Sequence, residues 1–302
     1  GGAGDDLIRG DVGHDTLDGG DGTDTLEYRF ATIAFTGVQV DLAAGTADDP
    51  AGTQDQISGF EIVIGTDELS TPDILLGADG DETLLGRDGG DILDGRGGDD
   101  SLAGGTGDDS LIGGPGNDTL DGGANGSLGD TAFFDDPNGT QGVFVDLAGF
   151  VATDEFGGFD SLFGIENIVG SARDDTISGS TGADELSGGD GNDILDGFGG
   201  DDIVFGGAGD DTINIRPPQP VGFSLLDGGV GVDLLTAQGR PQDLVIDLLD
   251  GFVAVDGVVI PGSIQNFEKV AGGTRDDSIA GNDLDNEFLG SAGNDTLEGL
   301  GG

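Results

Sequence analysis

The sequence predicts an all-β protein, a right-handed parallel β-solenoid of the β-roll or β-helix type. Three observations predict this fold class. The chain repeats with a period of nine residues, the first part of each repeat is rich in glycine, and position eight of each repeat is apolar. A six-residue turn followed by a three-residue strand, with position eight pointing inward, accounts for all three observations.

Seventeen nonapeptides carry this pattern, beginning at residues 1, 10, 19, 77, 86, 95, 104, 113, 170, 179, 188, 197, 206, 228, 272, 281 and 290. Two nonapeptides make one 18-residue coil, and we expect successive coils to stack at about 4.8 Å with parallel strand pairing. The chain is predicted to alternate between nonapeptide blocks (1–27, 65–134, 170–236 and 272–302) and interludes of other sequence (28–64, 135–169 and 237–271).

The three interludes resemble one another and form a longer repeat of about a hundred residues. Each has an alternating strand followed by an apolar element with a glutamate: VQVDL (38–42) and FEIVIG (60–65), VFVDL (143–147) and IENIVG (165–170), LVIDL (244–248) and FEKVAG (267–272). We expect wider coils here, which either carry the solenoid across a break between blocks or offer a contact surface. The recurrence also favours a fragment cut from a longer array.

Seven phenylalanines lie around the middle interlude, and we expect them to form local core rather than a ligand pocket. They are Phe133, Phe134, Phe144, Phe150, Phe156, Phe159 and Phe163.

The charge balance points to cations as partners. There are 61 acidic residues against nine Lys and Arg, a formal net charge of -52, and only ten of the acids are Glu. Such a charge disfavours binding to nucleic acid and to anionic membranes. The chain has no Cys and one His, which argues against zinc and thiolate sites. The sequence shows neither a transmembrane segment nor an N-terminal signal peptide.

A single nonapeptide, GGAGDDTIN (206–214), shows how these residues favour calcium. Its glycines permit tight turns that approach one another closely, so that main-chain carbonyls point into the gap between turns. Asp211, at position six, adds a carboxylate. Calcium takes six to eight oxygen ligands, and mixed carbonyl and carboxylate sets suit it better than they suit magnesium.

The candidate metal ligands are therefore the position-six aspartates and the position-one glycines. The predicted aspartates are Asp6, Asp15, Asp24, Asp73, Asp91, Asp100, Asp109, Asp118, Asp175, Asp184, Asp193, Asp202, Asp211, Asp233, Asp277 and Asp295. The predicted glycines are Gly1, Gly10, Gly19, Gly86, Gly95, Gly104, Gly113, Gly179, Gly188, Gly197 and Gly206. Calcium, as multiple ions, is the only cofactor expected.

Several nonapeptides depart from the pattern. Glu82 and Asn286 occupy position six, so we expect weak or absent ion sites there. Arg173 and Arg275 replace the glycine at position four, and a cation there is expected to close the ion row. Residues 65–76 (GTDELSTPDILL) read as a nonapeptide with three inserted residues, which leaves Asp73 as its ligand.

These tandem units resemble the calcium-binding nonapeptide G-G-x-G-x-D-x-U-x of the repeats-in-toxin (RTX) family. The resemblance implies a β-roll with calcium-binding turns, here interrupted by wider non-calcium β-coils. It also implies type I secretion, and a protein that is extracellular or on the cell surface of a Gram-negative bacterium.

One apolar residue in nine makes a thin core. Burying an aliphatic side chain contributes roughly 1.5–3 kcal/mol, whereas ordering each residue costs about 1.5 kcal/mol. The free energy of calcium binding must therefore drive folding. We expect the chain to be disordered without calcium and folded with it.

The sequence is compatible with three functions. The first is a calcium-dependent structural region of a secreted surface layer, adhesin or filament, with self-association into a lattice or filament. The second is a secretion and folding module of a secreted protease, lipase or epimerase. The third is an ice- or sugar-binding adhesin segment, which would need a flat Thr or aromatic array. No Ser-His or Cys-His set can form around His14, so we expect no catalytic residues and no enzyme.

Overall fold

The computed structural model describes residues 1–28, 37–67, 71–215, 222–260 and 263–302. Parts of the predicted segments 28–64, 65–134, 170–236 and 237–271 lie outside these ranges. The described residues form 35 β-strands and no helix, which confirms the all-β prediction. Accordingly, no helix in these ranges is long and apolar enough to cross a membrane.

The strands are, in chain order, β1 (Gly2–Ala3), β2 (Leu7–Arg9), β3 (Thr16–Asp18), β4 (Gly20–Asp21), β5 (Thr25–Glu27), β6 (Gln39–Asp41), β7 (Thr46–Asp48), β8 (Gln54–Ser58), β9 (Ile62–Ile64), β10 (Ile74–Leu76), β11 (Thr83–Asp88), β12 (Ile92–Asp94), β13 (Ser101–Gly107), β14 (Ser110–Ile112), β15 (Thr119–Asn125), β16 (Thr131–Phe133), β17 (Phe144–Asp146), β18 (Val151–Thr153), β19 (Phe159–Phe163), β20 (Asn167–Val169), β21 (Thr176–Ser178), β22 (Glu185–Asp190), β23 (Ile194–Asp196), β24 (Asp201–Ala208), β25 (Thr212–Asn214), β26 (Gly222–Val230), β27 (Leu234–Thr236), β28 (Leu244–Asp247), β29 (Phe252–Val255), β30 (Val258–Val259), β31 (Ser263–Gln265), β32 (Lys269–Ala271), β33 (Ser278–Ala280), β34 (Glu287–Leu289) and β35 (Thr296–Glu298).

The pairing register confirms the 18-residue coil. Strand β12 pairs in parallel with β14, with Leu93 opposite Leu111, and β13 pairs with β15, with Leu102 opposite Leu120. Successive nonapeptides therefore contribute to two different sheets, and every second nonapeptide returns to the same sheet. This is the parallel solenoid that the nine-residue period predicts.

The chain divides into two compact units. The first comprises residues 1–134 and 150–167, and the second comprises residues 135–149 and 168–302. In the first unit one sheet runs β3-β8-β7-β6-β10-β12-β14-β16 and the other β2-β5-β9-β11-β13-β15-β19-β18. In the second unit the sheets include β22-β24-β26-β31, β17-β21-β23-β25-β27-β32-β34 and the smaller β30-β29-β28-β33-β35.

The interludes contain antiparallel strands, which the sequence did not predict. Strand β7 runs antiparallel to both β6 and β8, β18 is antiparallel to β19, and β29 is antiparallel to both β28 and β30. Aspartates at the end of the VxVDL motif stabilise the first turn: Asp41 accepts a hydrogen bond from Ala44 N–H, and Asp247 accepts from Leu249 and Asp250. Such side-chain bonds to nearby amides are typical of turns.

The position-eight side chains form the core. From the second block onward most of them are fully buried, including Leu84, Leu93, Leu195 and Ile213. Ile8, Leu17 and Phe288 are half-buried and Leu297 is exposed. They lie on β2, β3, β34 and β35, which pair on one side only within the described residues.

The expectation that the phenylalanines form local core is wrong for four of the seven. Phe134 is buried, but Phe144, Phe150, Phe159 and Phe163 are exposed. Phe144, Phe159 and Phe163 lie on β17 and β19, on the faces turned away from the buried Val145 and Leu162. Phe150 lies in the turn before β18. Phe150 and Phe163 stack with ring centroids 5.9 Å apart.

Candidate metal centres

Most of the predicted aspartates are buried carboxylates at the point where a strand begins. Thirteen of the sixteen are buried, whereas Asp6, Asp15 and Asp295 are half-buried. Asp91, for example, immediately precedes β12 and is 1% exposed. Burying a carboxylate is unfavourable unless hydrogen bonds or a cation compensate it, so the partners of each oxygen decide what the site can bind.

One oxygen of most of these carboxylates has a main-chain partner. The position-six N–H donates to Oδ1 of the carboxylate in the same place one coil later, as from Asp91 to Asp109 at 2.7 Å. We call such a series a carboxylate ladder. Further donor–acceptor pairs, at 2.7–3.2 Å, are Asp6–Asp24, Asp73–Asp91, Glu82–Asp100, Asp100–Asp118, Asp175–Asp193, Asp184–Asp202, Asp193–Asp211, Asp211–Asp233 and Asp277–Asp295.

The interludes start and close these ladders. Amides of the VxVDL strands donate to the first carboxylate of a ladder, from Val38 to Asp73, from Val143 to Asp175 and from Leu244 to Asp277. The glutamates of the apolar elements accept at the other end: Glu61 from Asp24, Glu166 from Asp130 and Glu268 from Asp233. The hundred-residue repeat seen in the sequence therefore has a structural role, because it supplies both ends of a ladder.

The second oxygen of many ladder carboxylates has no donor. Among the described residues, no hydrogen-bond partner reaches the buried Oδ2 atoms of Asp24, Asp91, Asp100, Asp109, Asp118, Asp130, Asp193, Asp211 and Asp233. A row of buried carboxylate oxygens without donors calls for a cation.

The predicted glycines provide the space beside these oxygens. A Cβ on any of them except Gly10 would come within 2.2–2.8 Å of Oδ2 of the aspartate in its own nonapeptide. At Gly10 a Cβ would instead meet the ring of Tyr28, at 2.3 Å. Position four brings a carbonyl toward the next coil: a Cβ on Gly209, whose φ is +135°, would meet Gly191 O at 1.8 Å. Carboxylate and carbonyl oxygens thus converge in spaces that only glycine leaves open, and this donor set fits calcium.

Burial also affects the ionisation of the ladder. Desolvation, reinforced by the charges of neighbouring carboxylates, raises the pKa of Asp91, Asp100, Asp193 and Asp202 to about 7. The same causes raise the pKa of Asp118, Asp130 and Asp233 to about 6. Without a cation the fold therefore favours protonated carboxyl groups, whereas a bound calcium ion would stabilise the charged form.

The departures from the pattern take different local arrangements. The Glu82 amide donates to Asp100 and its Oε2 accepts from Ala78 N–H, so Glu82 keeps its place in the ladder. The Asn286 side chain instead bonds within its own turn, to Asn282. Arg173 donates to the carbonyls of Ala172 and Gly139. The ion occupancy expected at these three positions stays a prediction.

Sequence reasoning missed three aspartates of the ladders. Asp55, in the first interlude, accepts from the Asp15 amide. Asp130 accepts from the Asp109 amide, and Asp160 accepts from the Asp118 amide. Asp130 follows a three-residue insertion like the one in residues 65–76, so the same adjustment of register would have found it. Asp160 lies on β19, outside any nonapeptide, and the nine-residue period gave no signal for it.

Comparison with known proteins gives one family. The model of the RTX calcium-binding nonapeptide repeat (4 copies) matches residues 1–26, 76–111, 94–126, 160–195, 178–213 and 270–302, which together exceed half of the chain. No curated protein matches the chain. Among solved structures, the extracellular lipase LipA from Serratia marcescens is similar at 19% identity with a TM-score of 0.23. That match covers 66% of this chain and 38% of the lipase chain.

Proposed function

The chain belongs to the RTX calcium-binding nonapeptide repeat family, and from this we propose that it is a calcium-dependent structural region of a secreted bacterial surface protein. RTX nonapeptide repeats bind calcium ions at multiple sites and are typical of secreted bacterial proteins. The finer role proposed is in a surface layer, adhesin or extracellular filament of a Gram-negative bacterium, without catalytic activity of its own.

The observation that carries the proposal is the row of buried Oδ2 atoms to which none of the described residues donates. The ladder aspartates would hold the ions together with main-chain carbonyls of the glycine-rich turns, and each ion would supply the positive charge that these oxygens lack. Since the residues of one ladder come from successive coils, ions held there would link each coil to the next.

Calcium dependence suits a protein that is exported before it folds. Extracellular calcium modules bind with dissociation constants of about 0.1–1 mM, so such sites would stay empty in a cytosol poor in calcium. A chain with a net charge of -52 would then remain expanded and could pass through a secretion channel. Folding on calcium outside the cell would prevent its return.

A structural role is favoured by the regular spacing of the interludes. All three insert antiparallel strands, and their glutamates, Glu61, Glu166 and Glu268, accept the last amide of a ladder in the same way. Repetition of a whole block-and-interlude module is typical of extended repeat proteins, whose surfaces serve binding and assembly.

Immunogold electron microscopy of the cells that produce the protein tests this role, with antibodies raised against the calcium-loaded chain. Label along the cell envelope or on filaments, removed by washing with chelator, is the expected result. Label confined to a soluble secreted protein with hydrolase activity would contradict the surface role and favour the enzyme-module alternative.

A further inference from the structure

Three buried carboxylates meet where the middle interlude packs on the preceding nonapeptide. Asp118, Asp154 and Asp160 each offer an oxygen, and these three oxygens lie within 4.8 Å of one another. Asp118 belongs to a nonapeptide, Asp154 follows β18 and Asp160 lies on β19. Two oxygens bound to one calcium ion lie at most about 5 Å apart, because each is roughly 2.3–2.6 Å from the ion.

Two further observations point to a cation in this cluster. Asp118 is 1% exposed, and among the described residues no donor reaches its Oδ2. A main-chain oxygen also faces the cluster: a Cβ on Gly158 would lie 1.6 Å from Gly116 O and 2.7 Å from Oδ2 of Asp154. A carbonyl and a carboxylate oxygen, both acceptors, thus border one space that the missing side chain of Gly158 leaves open.

The first interlude has the same backbone register, and side-chain hydroxyls donate to its carboxylates. The Asp15 amide donates to Asp55 as the Asp118 amide donates to Asp160, and Ala47 pairs with Asp55 as Ala152 pairs with Asp160.

Asp49, the counterpart of Asp154, accepts from the amides of Gly13, Ala51 and Thr53 and from the Thr53 hydroxyl. Thr53 stands where the middle interlude has Gly158. The tyrosine hydroxyl of Tyr28 donates to Asp55. Thr53 and Tyr28 therefore bring hydroxyl donors to the carboxylates of the first interlude, whereas Gly158 has no side chain that could do so in the middle one.

We propose that Asp118, Asp154 and Asp160 bind a calcium ion in the middle interlude, outside the nonapeptide motif and in a coil expected from the sequence to hold none. Three carboxylates and the nearby carbonyl form a hard, all-oxygen donor set, which selects calcium over softer metals. The ion would fix the turn after β18 to the nonapeptide block. This site deepens the proposed calcium dependence, but it does not depend on the surface role.

Counting bound calcium in the full chain tests the site. In the wild type, the turn amides of Phe156, Gly157 and Gly158 donate to Oδ1 of Asp154. Asp154→Asn keeps an Oδ1 acceptor for these amides and removes one charge. Equilibrium dialysis against saturating calcium, followed by atomic emission, should find one ion fewer per chain with an unchanged circular dichroism spectrum. Asp49→Asn, the matched control, should lose no ion.

An Asp154→Asn chain that binds as many ions as the wild type would overturn the proposal, and so would an equal loss in Asp49→Asn. If Asp154→Asn does not fold, Asp154→Ser, whose hydroxyl can also accept from a turn amide, is counted by the same criteria. Calcium binding by the nonapeptides is measured in the same experiment, since the remaining ions report it. Failure of the interlude site is thus distinguishable from failure of the family's calcium binding.

Discussion

The position-six aspartate combines two tasks in one side chain. Its Oδ1 accepts a hydrogen bond from an amide of the previous coil, as Asp109 does from Asp91, and this bond holds the carboxylate in a fixed orientation. The neighbouring position-one glycine leaves Oδ2 uncovered by any side chain, as Gly104 does for Asp109. The residue therefore contributes both to the sheet-like stacking of coils and to a binding space, which explains why neither Gly nor Asp varies freely along the nonapeptides.

Filling that space should impair calcium binding. Gly104→Ala places a methyl group 2.2 Å from Oδ2 of Asp109, so we expect it to destabilise the calcium-bound fold by about 1–3 kcal/mol and to raise the calcium midpoint of folding. Gly199→Ala is the matched control, because nothing lies within 4 Å of its added Cβ. Calcium titrations followed by circular dichroism compare the two. Equal midpoints for both variants would contradict a binding space beside Gly104.

The raised pKa values predict an acid-stabilised fold in the absence of calcium. The pKa of Asp91, Asp100, Asp193 and Asp202, raised by burial to about 7, exceeds the unfolded value of about 3.9. Protonation then favours the fold, with full effect below pH 4 and progressive loss as the pH rises through about 7. In chelator, the β-sheet signal should be stronger at pH 5 than at pH 8, and an unchanged signal would contradict this.

Calcium should reverse the direction of that pH dependence. Because ions bind the deprotonated carboxylates, protons compete with them, and the calcium midpoint should rise as the pH falls from 8 to 6. A midpoint independent of pH over that range would show that these aspartates are not the ligands.

At the scale of strands and turns, the ladders explain why the interludes recur. A block of nonapeptides leaves the last position-six amide without the carboxylate of a following nonapeptide, and a glutamate from the interlude takes its place. The longer glutamate side chain reaches from an element that is not in nonapeptide register. Blocks can therefore end at an interlude without leaving a buried amide unsatisfied.

Truncating a glutamate that closes a ladder should destabilise the fold more than neutralising its charge. Glu166→Ala leaves the Asp130 amide without its acceptor and should cost about 1–3 kcal/mol, whereas Glu166→Gln keeps an acceptor and should lie within about 0.5 kcal/mol of the wild type. Glu185→Ala, at an exposed strand residue, controls for the loss of charge. Urea unfolding in saturating calcium measures all three, and equal stability of the Ala and Gln variants at Glu166 would refute the ladder-closing role.

The nonapeptide elements could be predicted from the sequence because their period and their geometry agree. A nine-residue spacing places Leu93 opposite Leu111 with no other information. The interlude strands could not be placed in the same way, because alternation in VQVDL or VFVDL is the same for parallel and antiparallel strands. Alternation also left open which face is covered, and Phe144 and Phe159 lie on the exposed one.

Of the candidate ligands, only the aspartates in register with the nine-residue motif could be predicted from the sequence. Asp91 and its equivalents follow from the motif, whereas Asp130 is displaced by an insertion and Asp160 belongs to an interlude. The hydrogen bonds that place these two in the ladder join residues 21 and 42 positions apart. Neither separation is a multiple of nine, so the nine-residue period alone does not place Asp130 and Asp160 in the ladder.

On the scale of the whole molecule, charge and fold are in conflict without a counterion. The net charge is -52, and the fold buries a series of carboxylates instead of exposing them. The apolar core contributes one side chain per nonapeptide, which is small against the entropy of ordering nine residues. Cations bound in the ladders would remove the repulsion and join successive coils, so that binding and folding become one process.

Far-ultraviolet circular dichroism of the full chain at pH 8, recorded in chelator and then through a calcium titration, tests this coupling most directly. The expected result is a disordered spectrum in chelator that converts cooperatively to a β-sheet spectrum near millimolar calcium, while the same concentration of magnesium has little effect. A complete β-sheet spectrum in excess chelator at pH 8 would show that the fold is stable without ions and would contradict the coupling.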